Sequence, residues 1–243
     1  MADAVAKPLR LERFPATRGG GQMNELAIVI APERDVTASA LVSDVRDDRV
    51  ALTPARFFVG DSSQPADVGW IDDAWVAHTS RDADGRVWCH VDDARARFVA
   101  GQQVTATVDR GRRVEVQRLQ TLQHLVWFGF RATHGPAERW LYRVSPPMAY
   151  LRLTTPTPVT LDVAAVTEWV HRAVADDLPI SRPEVVDGSG ALYFQVDGVG
   201  AVECSGLNVT RTGAVGGFTV MGSCSGGPDD QPGTIDLIAT LTD

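Results

Sequence analysis

Between residues 25 and 109, short apolar runs alternate with turn-forming residues. The runs are ELAIVIAP, ASALVSDV, RVALTPARFFV, VGWIDDAWVA, RVWCHV and QQVTATVD, and RDD, DADG and VAGQ interrupt them. Runs of this length between turn signals are typical of antiparallel strands in a small barrel or sandwich. We therefore predict a β-barrel-like domain over 24–110. Residues 1–23 lack hydrophobic periodicity and are predicted to form a flexible arm.

The spacing of the apolar residues changes after the segment DRGRR. Apolar or small residues then recur every three or four positions, at Leu119, Leu122, Leu125 or Val126, and Gly129. This spacing predicts an amphipathic helix of about 18 residues. A second helix is predicted over 162–177, with Thr160 as its cap, Asp162 in its first turn and Pro179 beyond its end.

Three further runs have strand character: ALYFQVDGV, GAVECSGLNV and AVGGFTVMG. The segment SCSGGPDDQPG reads as a flexible spacer, and TIDLIATLTD as a last strand on a sheet edge. The second half, 111–243, is therefore predicted to be an α+β domain with helices packed on an antiparallel sheet. Together with the barrel-like domain, this makes the fold class α+β.

Composition narrows the partners that we expect. The sequence contains 23 Lys and Arg residues and 31 Asp and Glu residues, which gives a net charge of −8. A protein that holds nucleic acid mainly by counterion release has the opposite balance, so DNA is not an expected partner and any nucleic-acid contact must be local. Three cysteines are too few for a disulfide framework, which favours the cytoplasm. The sequence contains neither a signal-peptide pattern nor a bilayer-spanning run, so no membrane role is predicted.

Two pairs of polar residues could carry chemistry. Gln120 and His124 share a helix face because they are four positions apart. Cys204 and Asn208 would share a strand face but lie about 13 Å apart, unless the chain bends at Gly206. Taken singly, a histidine on a helix or a free cysteine is most often an ordinary core residue.

The order of several segments adds a resemblance that covers most of the chain. The segments are TPARFFVGDSSQPADVGWI, VWCHVDD, GQQVTATVDRGRRVEVQRLQTLQHL, AYLRLTTPTPVTLDVAAVTEWVHRAVADDLPI and ECSGLNVTRTGAVGGFTVMG. In this order they resemble the editing domain of alanyl-tRNA synthetases and its free-standing trans-editing relatives. In that family, HxxxH on a helix and CxxxH in a strand-turn hold one tetrahedral zinc ion.

The four ligand positions implied by the resemblance are Gln120, His124, Cys204 and Asn208, so two imidazoles are replaced by carboxamides. The family's GGGQ loop falls at 61–64, where only Gln64 is kept, and the literal GGGQ at 19–22 is a coincidence. Amide oxygens are poor zinc donors beside a thiolate. We therefore predict little zinc and no other cofactor, with His124 and Cys204 as the ligands if zinc is retained.

The resemblance implies chemistry at the ester between an amino acid and the 3′ end of tRNA. His124 is predicted to deprotonate Cys204, and an amide N–H to bind the oxyanion. The predicted substrate-binding residues are Gln120, Asn208, Gln64, Thr210 and Arg211. Two basic groups near the first helix could meet phosphates or form a solvated face; they are Arg110, Arg112, Arg113 and Arg118, and then Arg131, His134, Arg139 and Arg143.

Three functions remain open at this point. The first is an enzyme that cleaves or transfers the aminoacyl group of a charged tRNA at a zinc-poor site. The second is a repurposed relative that acts on a small aminoacyl compound, which the net charge favours slightly. The third is an inactive module that binds aminoacyl-tRNA or another partner while the two amides hydrogen-bond across a collapsed site. The sequence indicates no oligomeric state.

Overall fold

The computed structural model describes residues 36–182, 192–225 and 233–242. Within them the chain forms two compact units. We call 36–117 with 143–147 the barrel unit, and 118–142 with the described residues from 148 onward the helix–sheet unit. The predicted arm, the GGGQ at 19–22 and the run ELAIVIAP lie outside the described residues.

The barrel unit is built on one antiparallel sheet that nearly closes on itself. Its elements are β1 Thr37–Arg46, β2 Arg49–Thr53, β3 Gly69–Ile71, β4 Ala74–Val76, β5 His78–Arg81, β6 Val87–His90, the short helix α1 Ala94–Arg97 and β7 Gln103–Val108. The strand order is β4-β3-β7-β1-β2-β6-β5. The predicted barrel-like architecture is confirmed.

Alternation along the strands fills the interior of this unit. Val42, Val50 and Phe57 are fully buried in its core, together with Ile71 and Val76. The run RVALTPARFFV was predicted as one strand, but β2 ends at Thr53. Pro54 has no N–H to donate to a ladder, and the residues after it leave the sheet.

The rest of the chain supplies two long helices and two sheets. The elements are α2 Arg110–His134, β8 Glu138–Ser145, β9 Met148–Thr155, α3 Val163–Ala175, β10 Ile180–Ser181, β11 Tyr193–Val196, β12 Gly200–Glu203, a 3₁₀ turn Thr212–Val215, β13 Phe218–Ser225 and β14 Gly233–Leu241. The sheets have the orders β10-β11-β12 and β13-β14-β9-β8. The predicted α+β class is confirmed.

Helix α2 differs from the amphipathic helix of about 18 residues that the spacing predicted. It has 25 residues, and every residue from 119 to 130 is buried, including the polar ones. Gly129 permits the close approach of α3, because a Cβ atom there would lie 3.0 Å from the Trp169 ring. Among the described residues, no helix is both long and apolar enough to cross a membrane.

Helix α3 starts one residue later and ends two residues earlier than predicted. Asp162, expected in the first turn, is the N-cap, and its side chain accepts a hydrogen bond of 2.9 Å from the backbone N–H of Ala165. Asp162 therefore takes the role that we had assigned to Thr160. The apolar face of α3 packs into the core, where Val166 and Val170 are fully buried.

The last strand was predicted on an edge, but β14 lies between β13 and β9. Its register pairs Leu237 with Leu151 and Ile235 with Leu153, and all four side chains are buried. Strands β8 and β9 were not predicted at all. The segment read as a spacer begins inside β13, which continues to Ser225, while 226–232 lie outside the described residues.

Candidate thiol–imidazole site

A buried thiol and a buried imidazole meet in the helix–sheet unit. His124 lies on α2, and Cys204 directly follows β12. The Nε2 atom of His124 is 3.2 Å from the Sγ atom of Cys204. This distance allows direct proton transfer between the two groups.

The chain bends immediately after Cys204. The Cys204 N–H donates to the Leu192 carbonyl oxygen at 2.8 Å, which prolongs the pairing of β11 with β12. The Asn208 amide Nδ2 then donates to the Gly206 carbonyl oxygen at 3.1 Å and to Cys204 Sγ at 3.6 Å. The extended separation of about 13 Å is therefore wrong, and the bend at Gly206 exists.

The Gln120 side chain brings a second amide within hydrogen-bonding distance of Cys204 Sγ. Its Nε2 atom lies 3.5 Å from Cys204 Sγ and 3.3 Å from His124 Nε2. Its carbonyl oxygen, Oε1, is buried and has no hydrogen-bond partner among the described residues. An unpartnered buried acceptor is costly, and a polar group that enters the site would satisfy it.

Two residues that hold the site together were missed by sequence reasoning. Thr121 is fully buried on α2, and its hydroxyl oxygen accepts the Val209 N–H at 3.1 Å, which ties the bend to the helix. The Phe194 ring of β11 stacks on the His124 ring with 4.5 Å between centroids. Neither residue carries a local signal, because each acts through contacts distant in sequence.

The site is closed as well as compact. His124 is fully buried, and the exposed fractions of Cys204 and Asn208 are 6% and 7%. Two amide N–H groups and an imidazole nitrogen therefore surround one sulfur that is largely shielded from water. Cys89 in the barrel unit differs, since burial and, to a lesser extent, Asp67 raise the pKa of its thiol to about 12.

The remaining predicted substrate-binding residues are Arg211, Thr210 and Gln64. Arg211 is exposed and pairs with Asp177, with 2.6 Å from Nε to Oδ2, and the Thr210 carbonyl oxygen accepts the Ile180 N–H at 2.9 Å. No hydrogen bond joins either of them to Cys204 in the described part of the chain. Gln64 is buried in a loop of the barrel unit. Their predicted contact with substrate stays a prediction.

Three of the predicted basic residues have structural partners. Arg113 forms a buried ion pair with Asp67, and Arg118 donates to the Val215 carbonyl oxygen at 2.7 Å. The His134 imidazole accepts the Asp162 N–H at 2.9 Å, which ties the end of α2 to the start of α3. These side chains serve the fold.

The donor set around Cys204 does not fit a zinc ion. The described residues contain no group of three His, Cys, Asp or Glu side chains that could hold a metal. Asn208 turns its N–H side toward the sulfur, because the opposite orientation would place its own carbonyl oxygen against the Gly206 carbonyl oxygen. A hydrogen-bond donor cannot serve as the fourth ligand of a tetrahedral site.

Comparison with known proteins relates the chain to alanyl-tRNA editing proteins, at a distance. Over 89 residues it is 30% identical to the alanyl-tRNA editing protein AlaX-M of Pyrococcus horikoshii, which covers 37% of this chain and 41% of that protein. Over 225 residues it is 23% identical to the alanine–tRNA ligase of Methanothermobacter thermautotrophicus, covering 84% of this chain and 24% of the ligase. The chain thus spans less than half the length of either relative. No protein-family model matches the sequence.

Proposed function

We propose that this protein cleaves or transfers the aminoacyl group of a charged tRNA, with Cys204 as the nucleophile. The observation that supports the proposal is the 3.2 Å contact between His124 Nε2 and Cys204 Sγ, beneath two amides aimed at the same sulfur. The similarity to AlaX-M, whose name specifies alanyl-tRNA editing, supplies the substrate class.

The reaction begins with proton transfer from the Cys204 thiol to His124. The sulfur attacks the ester carbonyl carbon, a C–S bond forms, and the bond from that carbon to the ribose oxygen breaks. The protonated His124 returns its proton to the departing oxygen. Water then hydrolyses the thioester, or an amine acceptor takes the acyl group, and Cys204 is regenerated as a thiol.

The amides have separate tasks in this scheme. An N–H of Asn208 or Gln120 stabilises the oxyanion that forms on the carbonyl oxygen, where one donor is typically worth a factor of about 10²–10³ in rate. The unpartnered Oε1 of Gln120 is suited to accept from the α-ammonium group of the aminoacyl moiety. We therefore expect an N-acetylated aminoacyl-tRNA to be a poor substrate.

Burial of the site supports a second candidate. Cys204 is only 6% exposed, so an ester reaches the sulfur only when the covering residues move. A protein whose amides hydrogen-bond permanently over the thiol would bind aminoacyl-tRNA without cleaving it. This inactive module is the alternative that the geometry favours.

One assay separates these functions. The purified protein is incubated with a panel of aminoacyl-tRNAs, and deacylation is followed with and without hydroxylamine, which converts a thioester into a hydroxamate. Because hydroxylamine also cleaves aminoacyl esters directly, only hydroxamate formed in excess of a protein-free control supports the thiol mechanism. Binding without turnover identifies the inactive module, and activity only on small aminoacyl esters identifies the repurposed enzyme.

Matched variants assign the activity to the site. Cys204→Ala should abolish turnover, and Cys89→Ala, which removes a buried thiol from the barrel unit, should leave it intact. His124→Gln approximately preserves volume while removing the base, and should lower the rate by about 10²–10⁴-fold. Deacylation that persists in Cys204→Ala would exclude covalent catalysis at this residue.

A further inference from the structure

A small cavity in the barrel unit has a positive lining, although the whole chain carries a net charge of −8. Its volume is about 160 Å³, enough for several waters at about 30 Å³ each or for one tetrahedral oxyanion. Its polar lining comes from Asp61, Ser62, Gln64, Arg112, Arg143 and Ser145.

Two guanidinium groups face one carboxylate in this lining. Arg143 is exposed, Arg112 is half-buried, and neither side chain has a hydrogen bond or ion pair with another described residue. The Nε atom of Arg112 is buried without a partner. A buried donor on a permanent cation is costly unless a ligand accepts from it.

The single carboxylate is already engaged by its own turn. Oδ1 of Asp61 accepts hydrogen bonds from the Ser63 N–H and hydroxyl, each at 2.6 Å, and from the Gln64 N–H at 2.9 Å. Asp61 thereby organises the loop, and it forms no ion pair with either arginine in the described part of the chain. Ser62 and Ser145 also line the cavity, and each carries a hydroxyl group.

Hydrogen bonds and a buried ion pair join the segments that line the cavity, without any ligand. Asp67, at the end of the loop, pairs with Arg113, the residue next to Arg112 on α2, and both side chains are buried. The Asp67 carboxylate also accepts the Phe58 N–H at 2.6 Å. The Val144 N–H donates to the Ser63 carbonyl oxygen at 2.7 Å, which holds the segment of Arg143 against the loop. A preformed site loses little entropy on binding.

We propose that this cavity binds a phosphate group through Arg112 and Arg143. Guanidinium forks match the oxygens of a tetrahedral oxyanion, and the hydroxyls can complete its coordination from other directions. The phosphate comes either from an RNA backbone or from a free phosphate. Only the RNA source rests on the proposed function.

Two titrations test the site and distinguish the sources. Sodium phosphate and sodium acetate are titrated at constant ionic strength by calorimetry, and an uncharged tRNA transcript is titrated by fluorescence anisotropy over a series of salt concentrations. The variants are Arg112→Gln and Arg143→Gln. The control is Arg95→Gln, which removes the same charge from an exposed pair with Asp47.

For an RNA ligand, each cavity variant should weaken tRNA binding by about tenfold and reduce the salt slope by about one, while the control stays within about twofold of wild type. For a free phosphate, the variants should abolish the phosphate response and leave tRNA binding unchanged. Equal responses to acetate and phosphate, or binding that no cavity variant alters, would overturn the proposal. Circular dichroism confirms that each variant is folded, and the exposed Arg143 gives a variant that leaves the buried core intact.

These outcomes are independent of the aminoacyl chemistry. A protein that deacylates tRNA, but whose binding of both phosphate and tRNA is unaffected by changes at Arg112 and Arg143, contradicts only the phosphate cavity. A protein that binds phosphate through both arginines yet leaves every aminoacyl ester intact contradicts only the proposed function.

Discussion

The Nε2 atom of His124 lies 3.2 Å from the Sγ atom of Cys204, although 80 positions separate the residues in sequence. The contact forms because α2 buries its polar face against the bend that follows β12. The amides of Gln120 and Asn208 complete the ring of donors around the sulfur.

Cys204 should react with iodoacetamide faster than Cys89 near neutral pH. His124 Nε2 lies 3.2 Å from Cys204 Sγ and can accept the thiol proton, and two amides donate to the sulfur. Burial, in contrast, raises the pKa of the Cys89 thiol to about 12. The experiment uses a Cys224→Ser background, because Cys224 is exposed and would consume reagent. Mass spectrometry of the alkylated peptides gives both rates.

The comparison of the two alkylation rates needs a variant that removes a hydrogen-bond donor to Cys204 Sγ and keeps both thiols. Gln120→Leu removes one amide at similar volume and should slow alkylation of Cys204 without changing that of Cys89. Equal rates for the two thiols in the parent protein would show that the amides do not activate Cys204.

Gln120→His combined with Asn208→His should create a zinc site. Both amides already lie within 3.6 Å of Cys204 Sγ, so two imidazoles at these positions would join His124 and Cys204 in a tetrahedral set. We expect elemental analysis to find close to one equivalent of zinc in the double variant and far less in the parent.

The matched control is Gln123→His with Asn208→His. Gln123 lies on the same helix, but neither of its side-chain polar atoms hydrogen-bonds to the cluster among the described residues. A double Gln120 and Asn208 variant that folds yet takes up no more zinc than the control would mean that the cavity has changed beyond its ligands.

Alkaline pH should destabilise the protein through Cys89. Burial raises the pKa of this thiol from 9.0 to about 12, so above pH 9.0 the unfolded chain loses the proton while the folded chain keeps it. The free energy of unfolding then falls by about 1.4 kcal/mol per pH unit until the folded pKa is reached. Between about pH 8 and about pH 10, the parent should lose about 1.4 kcal/mol more than Cys89→Ala in denaturant titrations.

Comparison of the parent with Cys89→Ala removes the contribution of the other groups that titrate in this range, because both proteins contain them. Cys224→Ala, which removes an exposed thiol, should retain the pH dependence of the parent. Identical slopes for the parent and Cys89→Ala would contradict the assignment to Cys89.

Asp67→Asn should destabilise the barrel unit by about 3–5 kcal/mol, because it leaves the buried Arg113 guanidinium without its counterion. The control Asp47→Asn breaks the exposed pair with Arg95 and should cost at most about 1 kcal/mol. Urea unfolding measures both. Similar losses in the two variants would mean that the buried pair is no more important than the exposed one.

Asp162→Ala should lower the free energy of unfolding by about 1 kcal/mol, since it removes the acceptor of the Ala165 N–H at the start of α3. Thr160→Ala is the control, because Thr160 was the cap expected from the sequence. A larger effect from Thr160→Ala would restore the original assignment and contradict the observed cap.

The strands of the barrel unit and the core of α3 were predictable because their signals are local. A strand buries alternate residues and a helix every third or fourth, so Val42, Val166 and Val170 could be assigned to a core from their near neighbours alone. The ends of the elements were predicted less accurately than their type. Two side chains near one helix start, at Thr160 and Asp162, compete for the same cap, and only the backbone path selects between them.

The candidate site shows the same division between local and long-range information. The sequence, through the spacing of Gln120 and His124, placed two groups on one helix face, and the family resemblance paired them with Cys204 and Asn208. The sequence could not show that the chain bends at Gly206, that Thr121 fastens the bend, or that Phe194 stacks on the imidazole.

What the sequence by itself determined were the α+β class and the strand and helix periods, because each depends on residue type and on neighbours within a few positions. The tertiary structure alone decided the central place of β14, the burial of every residue of α2 from 119 to 130 and the orientation of the Asn208 amide. Each of these depends on contacts between segments tens of residues apart. The free energy of such contacts comes from desolvation and hydrogen-bond geometry, which exist only once the segments have packed together.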